Sequence, residues 1–397
     1  MTPIDLCILF STADWDAPYW TNKQHTAKNL ALKGITVLYI ESIGLRRPKL
    51  TSGIDISRIF RRLFRSFRGI QEVDNNIYVL SPLIIPLKHH WHLVRWFNRF
   101  LLSHAIKAFV KRIQVVGGAR NPIVWSYHPY ALDALPKNCK WPIIYHCVDD
   151  LSSVPGIDGD TFNVAEKTFL KRVDMVFTTS TTLFEKCKAI NSKVYNFPNV
   201  VDFEHFSQQS NPSNSPRDLE SIPRPRIGYV GVLSDFKIDF ELLLAVVKHS
   251  PLWSFVFIGE EREGQSNSFV EKLKLEPNVH FIGYVKYADL PMYLAGIDVG
   301  ILPTLVNSYT KSMFPMKYYE YISAGLPVVS TPLDFLQERS LGVVVGHNAL
   351  TFKDGIEWQL NRGKLSELEA ANIVGDNTWA TRLEKMIDRI NQIGKLH

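Results

Sequence analysis

Lys317 and Glu320 stand almost alone as charges in a stretch that is otherwise apolar and aromatic; residues 298–331 read DVGILPTLVNSYTKSMFPMKYYEYISAGLPVVST. Three positions apart on a helix, the two side chains share one face. Met316, Tyr318, Tyr319, Tyr321 and Ile322 would enclose that helix, and an enclosed charge needs a partner. A phosphate for the lysine and ribose hydroxyls for the glutamate supply such partners, so the stretch reads as a nucleotide site. The alternative is an ordinary surface ion pair.

The elements that position these residues are written in the same stretch. An apolar strand at 299–302 passes through a polar loop into a short helix with Pro315 at its first position; Gly325 and Pro327 stop it before a second apolar run at 328–329. Proline just inside the start and glycine just past the end punctuate helices in this way. A helix that begins after a strand offers free N–H groups and a partial positive charge, which suits a diphosphate.

The rest of the chain repeats the pattern. Apolar runs at 5–10, 36–40, 77–80, 123–126, 143–147 and 175–178 alternate with helical segments such as 22–33 and 91–113. Residues 207–226, SQQSNPSNSPRDLESIPRPR, break the composition with Ser, Pro and Asn, as a linker does. Alternation restarts with runs at 226–231, 254–259, 279–282, 299–302, 328–330 and 342–346. This predicts an α/β chain of two Rossmann-like, doubly wound domains, with ligands beyond the carboxyl ends of the strands. The expected boundaries are a first domain over 1–206, a linker over 207–225 and a second domain over 226–375. A C-terminal helix within 376–397, striped by Trp379, Leu383, Met386, Ile387 and Ile390, is expected to return to the first domain.

Length and composition agree with that plan. A chain of 397 residues exceeds one ordinary core and suits two domains of about 150 to 200 residues. With 46% hydrophobic and 21% charged residues it is globular, not disordered. Cys7, Cys139, Cys147 and Cys187 have neither metal nor disulfide-framework spacing; Cys7 and Cys147 fall in strand-like runs, as small core residues do. The first residues lack a basic leader and a cleavage site, and no run reaches the about 18 apolar residues of a membrane span. The expected location is therefore cytoplasmic.

Taken together, RIGYVGVLSDF (226–236), NVHFIGYVKYADLPMYLAGIDVGILP (278–303) and MKYYEYISAGLPVVST (316–331), with YHCVDD, VFTTSTTLFEK and NFPNVVDFEHF in the first half, resemble the nucleotide-sugar-dependent glycosyltransferases of the GT-B fold. Within these the chain is similar to bacterial surface-polysaccharide enzymes of the teichuronic-acid type. The resemblance covers nearly the whole chain and implies two domains facing a cleft. It implies that Glu320 binds the ribose hydroxyls and that Pro315, Met316 and Lys317 at the helix start receive the diphosphate. Gly283, Tyr284 and Val285 would hold the base edge, and Gly231 would let the chain pass close to phosphate, unless it is a plain tight turn. Two departures stand out. Many retaining relatives have a second glutamate where this chain has Ser312, and an arginine where it has Val232. Lys237 is a candidate for the missing cation, with a solvated surface lysine as the alternative.

Transfer of a sugar needs a stabilised leaving group, an oriented acceptor hydroxyl and, for inversion, a base. Asp149 and Asp150 follow the run at 143–147 and are candidate bases; the alternative is that one of them caps the next element. His128, in WSYHPY, is the other catalytic candidate, with a structural histidine as its alternative. The loop at 11–24, STADWDAPYWTNKQ, carries Asp14, Trp15, Asp16, Tyr19 and Trp20, whose aromatics and carboxylates suit a sugar acceptor or simply cover the sheet edge. No divalent-metal motif stands out, and no cofactor beyond the donor is expected.

Charge is unevenly placed. Residues 46–120 hold fifteen Lys or Arg against three Asp or Glu, out of a net charge of +6. ISRIFRRLFRSFRGI (56–70) and HHWHLVRWFNRFLLSHAIKAFVKRI (89–113) mix these cations with aromatics as segments on anionic membranes do. They fit a lipid-linked saccharide acceptor and peripheral attachment to the inner face of the cytoplasmic membrane; the alternative is a solvated face over the core. No nucleic-acid module appears, so nucleic acid is not an expected partner. The expected function is a glycosyltransferase of surface-polysaccharide synthesis. A nucleotide-sugar epimerase and a non-catalytic nucleotide-sugar-binding assembly partner are the alternatives.

Overall fold

The computed structural model describes residues 4–43, 69–82, 92–117, 121–135, 139–207, 216–261, 267–337 and 341–393. The chain divides into two compact units, Met1–Phe197 with Ala380–His397, and Pro198–Trp379.

The first unit holds an eight-stranded sheet of β1 (Leu6–Phe10), β2 (Thr36–Ile40), β3 (Ile70–Asp74), β4 (Ile77–Leu80), β5 (Pro122–Ser126), β6 (Ile143–Cys147), β7 (Met175–Thr178) and β8 (Val194–Asn196). Their order is β3-β4-β2-β1-β5-β6-β7-β8, and every pairing is parallel except that of β3 with β4. Successive side chains of a strand point to opposite faces. In β1, Leu6, Ile8 and Phe10 accordingly enter one core cluster, and Cys7 and Leu9 the other. Both faces are covered, which is why these strands read as continuous apolar runs. The helix Trp379–Ile393 places Leu383, Met386 and Ile390 in the cluster that holds Cys7 and Leu9.

The second unit has a parallel sheet of β9 (Arg226–Val230), β10 (Ser254–Ile258), β11 (Val279–Gly283), β12 (Val299–Leu302), β13 (Val328–Ser330) and β14 (Val343–Val345). The order is β11-β10-β9-β12-β13-β14, which counted from β9 is the 3-2-1-4-5-6 order of dinucleotide-binding sheets. Leu302 packs on one face, Val299 and Ile301 on the other.

The division between units differs from the expected one. Val201, Phe206, Leu219 and Ile222 are buried in a core cluster of the second unit, so the boundary falls at 197/198 rather than within 207–225. The polar composition of that segment hides these four apolar anchors. The edge strand β3, IQEVD, and the three-residue β8 were not among the expected strands; β3 is half polar and β8 too short to show a period.

Candidate functional site

In the second sheet the strand order reverses between β9 and β12, where α/β sheets open a crevice at their carboxyl ends. Gly231, Gly259 and Gly283 stand at the ends of β9, β10 and β11, with φ of 148°, 142° and 81°. The Gly231 N–H donates to Ile258 O at 2.9 Å and the Gly259 N–H to Gly283 O at 2.8 Å. A Cβ on Gly259 would lie 2.1 Å from Gly231 O, so the two backbones pass where no side chain fits. Gly231 therefore belongs to a glycine-lined edge of bare backbone rather than to an isolated turn. Gly259 was not singled out from sequence, although a glycine closing each of three successive apolar runs was visible there. Beyond Gly283, Tyr284 is partly exposed and Val285 buried.

The helix Met316–Ser323 lies beside this edge. Pro315 is its N-cap, with φ −65° and ψ 121°, and Met316 its first residue; the proline stands one place earlier than expected because its ψ is extended while its carbonyl already accepts from Tyr318 N at 3.2 Å. No side-chain cap closes this start, which leaves the N–H groups of Met316 and Lys317 to water or a ligand. At the other end Gly325, at φ 76°, allows its own N–H to reach Ile322 O and that of Leu326 to reach Tyr321 O, both at 2.9 Å, a left-handed stop that satisfies the last carbonyls. The Tyr321 hydroxyl accepts from the Val230 N–H at 2.8 Å, which pins the helix to the end of β9.

Glu320 is 3% exposed and forms an ion pair with Lys317. The pair is not a surface feature, because its carboxylate is enclosed while its ammonium remains partly accessible. Ser312 is buried and donates to Tyr309 O at 2.8 Å. Lys237 holds its ammonium 4.9 Å from the Tyr309 ring centre and 5.5 Å from that of Phe236. Its carbonyl accepts from Leu305 N at 2.8 Å, and Asn307 Nδ2 donates to Phe236 O at 2.8 Å. The loops after β9 and β12 are thus tied together, and Lys237 is held over aromatic rings instead of standing as a solvated lysine.

In the first sheet the order reverses between β1 and β5. His128 follows β5, is 1% exposed and has no partner for either ring nitrogen among the described residues. Burial lowers its pKa to about 3, so the imidazole is neutral at physiological pH. Asp149 and Asp150 follow β6 and differ sharply. Asp150 accepts from Ser152 Oγ at 2.7 Å, Ser153 Oγ at 3.0 Å and Lys186 Nζ at 3.0 Å. Burial pushes its pKa up, but Ser152, Lys186 and Ser153 outweigh it and hold it below the ordinary aspartate value. That makes Asp150 a poor proton acceptor and a good anchor for the turn Leu151–Ser153, whose N-cap it is. Asp149 instead lies 3.7 Å from the buried Lys23, with a quarter of its side chain exposed. Lys23 had carried no role in the sequence reading; its signal was its place at the start of a helix after the first strand.

The loop after β1 folds on itself. Trp15 lies 5.2 Å from the Tyr39 ring and 5.3 Å from that of Trp20, and Trp20 lies 5.5 Å from His25. The Trp15 N–H donates to the buried Glu41 at 2.8 Å, and the Asp14 carbonyl accepts from Gln24 Nε2 at 3.0 Å. Tyr19 is half-buried and Asp16 exposed. Trp15 and Trp20 thus pack on one another, and Trp15 on Tyr39 of β2.

Of the basic segments, 56–68 and 89–91 lie outside the described residues. The helix His92–Gly117 packs Leu102, Ile106, Phe109 and Val110 in the core, and presents Phe100, Lys107, Lys111 and Arg112 outward. No helix among the described residues is long and apolar enough to cross a membrane.

Residues 224–362 match the family model of the group 1 glycosyl transferases. The putative teichuronic acid biosynthesis glycosyltransferase TuaH of Bacillus subtilis (strain 168) is 32% identical over 177 residues, 43% of this chain and 43% of that protein. The chain spans less than half the length of this curated relative in the matched stretch. Sucrose-phosphate synthase from Thermosynechococcus elongatus superposes with a TM-score of 0.70 at 16% identity, covering 99% of this chain and 100% of that one. Anabaena HepE in complex with UDP gives 0.63 at 13% identity over 98% and 100%. WaaG, a glycosyltransferase involved in lipopolysaccharide biosynthesis, gives 0.59 at 13% identity over 96% and 98%. The fold is that of the GT-B glycosyltransferases.

Proposed function

We propose that this chain, whose second unit carries the group 1 glycosyl transferase pattern, transfers a sugar from a nucleoside-diphosphate sugar to a lipid-linked saccharide in bacterial surface-polysaccharide synthesis. The observation that carries the proposal is the enclosed Glu320 paired with Lys317 in the first turns of a helix without a side-chain cap, beside a glycine-lined sheet edge. Glu320 accepts from the ribose hydroxyls, while Lys317, Lys237 and the helix start meet the diphosphate. Gly283, Tyr284 and Val285 border the base. In the reaction the bond from the anomeric carbon to the diphosphate oxygen breaks and one to the acceptor oxygen forms. Stabilising the departing diphosphate with preorganised dipoles and cations is the main electrostatic task, and it calls for neither a resident metal nor a cofactor.

On the first unit, His128, whose ring nitrogens have no partner among the described residues, is the residue to meet the sugar, and Asp149 is favoured over Asp150 to take the acceptor proton, because Asp150 is occupied by three donors. The outward basic face of His92–Gly117 supports attachment to the anionic inner face of the cytoplasmic membrane.

Incubation of the purified chain with a panel of nucleotide sugars and a lipid-linked acceptor tests the proposal: acceptor-dependent release of nucleoside diphosphate is expected. A new nucleotide sugar formed without acceptor would identify an epimerase instead, and binding without turnover of any donor a non-catalytic partner. Flotation on vesicles separates the membrane claim, with binding expected on anionic and not on neutral lipid; no binding to either rejects it.

A further inference from the structure

Asn199, from the segment NFPNVVDFEHF, is 6% exposed and donates from Nδ2 to Phe314 O at 2.6 Å, across 115 positions of sequence. That carbonyl stands immediately before the helix Met316–Ser323 and its N-cap Pro315. Pro315 has no N–H, and its own carbonyl already accepts from Tyr318 N at 3.2 Å, so Phe314 O is the last acceptor outside the helix. Beside it in the chain are the N–H groups of Met316 and Lys317, which no side-chain cap occupies. An anion drawn to those N–H groups is opposed by any carbonyl whose negative end faces it. A neutral amide on Phe314 O ties that end back and brings no carboxylate to the helix start.

The hydrogen bond is not what holds either partner in place. The Val201 N–H donates to Asn377 O at 3.1 Å, and Val201 and Phe206 lie in a core cluster of the second unit. His205 stacks on Tyr287, with ring centres 4.6 Å apart and planes at 13°, and its Nε2 lies 2.9 Å from Tyr287 O. Phe314 is anchored by its own ring, 4.9 Å from that of Phe335 and 5.7 Å from that of Tyr319. With both segments secured elsewhere, what Asn199 adds is the direction of the Phe314 carbonyl.

We infer that Asn199 is a positioning residue for the diphosphate of the donor: it holds the Phe314 carbonyl so that the helix start meets the anion with N–H groups alone. The inference rests on the nucleotide site proposed at Glu320 and Lys317. Calorimetric titration of the full chain with UDP, GDP, CDP and ADP identifies the diphosphate that binds tightest, and displacement of it by the matching nucleoside gives the affinity of the nucleoside. In Asn199→Asp, which sets an acceptor against an acceptor, diphosphate affinity should fall about tenfold or more. Asn199→Ala, which leaves the carbonyl to water, should lose less. Nucleoside affinity should stay within about twofold of wild type in both, because a nucleoside places no charge at the helix start. As pH is lowered from 7 to about 5, the introduced carboxyl takes up a proton and becomes a donor. The gap between Asn199→Asp and wild type should then narrow, while that of Asn199→Ala should not. A cooperative melting transition shows that each variant is folded, and Asn199→Ala carries the comparison if Asn199→Asp does not fold. Diphosphate affinity equal to wild type, or nucleoside affinity falling in step with it, overturns the inference and leaves the nucleotide site standing. A wild type that binds none of the four diphosphates overturns both.

Discussion

The two sheets place their strands in the same order around the point where it reverses, yet they furnish that point with opposite materials. In the second unit the ends of β9, β10 and β11 are glycines, and the polar surface is backbone, completed by one enclosed ion pair. In the first unit the ends of β1, β2, β5 and β6 carry side chains: Ser11 bonded to Tyr39, Glu41 holding the Trp15 N–H, His128, and Asp149 beside Lys23. A surface built from backbone is rigid and indifferent to what a phosphate carries. One built from side chains can change its specificity without changing the strands. That division suits a protein whose one half holds a common nucleotide and whose other half selects a saccharide.

The contrast is most directly broken at Gly259. An alanine there brings its Cβ within 2.1 Å of Gly231 O at φ 142°, which forces two strand ends apart; Gly259→Ala should lose about 3 kcal/mol or more in urea unfolding. A substitution tolerated without loss would show that the edge is not the rigid element described. Next in size is Glu320→Gln, which keeps the volume but removes the charge that pairs with Lys317. It should lower kcat/KM for the donor about a hundredfold, or about 2.7 kcal/mol, measured by nucleoside diphosphate release. Unaltered kinetics would remove Glu320 from the nucleotide site.

The same contrast explains what sequence could show. The backbone-built end was legible because glycine and proline are themselves the signal: Gly231, Gly283, Gly325 and Pro315 mark turns by type and spacing alone. Strands buried on both faces were legible as apolar runs, and β2, β4, β6, β7, β12 and β13 fall at the residues expected. The side-chain end was not. Asp149 and Asp150 are identical in type and adjacent; Ser152 and Ser153 beside Asp150 are local, but the two lysines, Lys186, 36 positions later, and Lys23, long before, are not. Arg382 likewise reaches Asn22 Oδ1, at 2.6 Å, across 360 positions. Such partners are set by how strands are ordered, which local spacing does not record.

Smaller effects test the first unit. His128→Phe keeps a ring with edge-on packing 6.1 Å from Phe10 while removing two nitrogens that have no partner among the described residues. It should lower kcat/KM about tenfold, or about 1.4 kcal/mol, without loss of stability at neutral pH. The burial-depressed pKa of about 3, against 6.5 for the exposed imidazole, means that the unfolded chain binds the extra proton between those values. Stability therefore decreases as the pH is lowered from 6.5 towards 3 in the wild type, and less steeply in the variant; thermal unfolding from pH 7 to 4 reads the difference. Equal activity in the variant would return His128 to a structural role.

The smallest effect separates the adjacent aspartates. Asp150→Asn removes the charge that Ser152, Ser153 and Lys186 hold in place, and should cost about 1 kcal/mol of stability at pH 7. Because the folded pKa lies below the ordinary 3.8, this contribution is complete above that value and disappears as pH falls through the folded pKa. The variant and the wild type should therefore converge in strongly acidic solution. Asp149→Asn should behave in the opposite sense, with near-normal unfolding and reduced transfer, because its carboxylate is partly exposed and has a 3.7 Å contact with Lys23. If Asp150→Asn loses transfer while keeping its stability, the three hydrogen bonds do not define its role, and the proton acceptor must be sought in Asp150 rather than in Asp149.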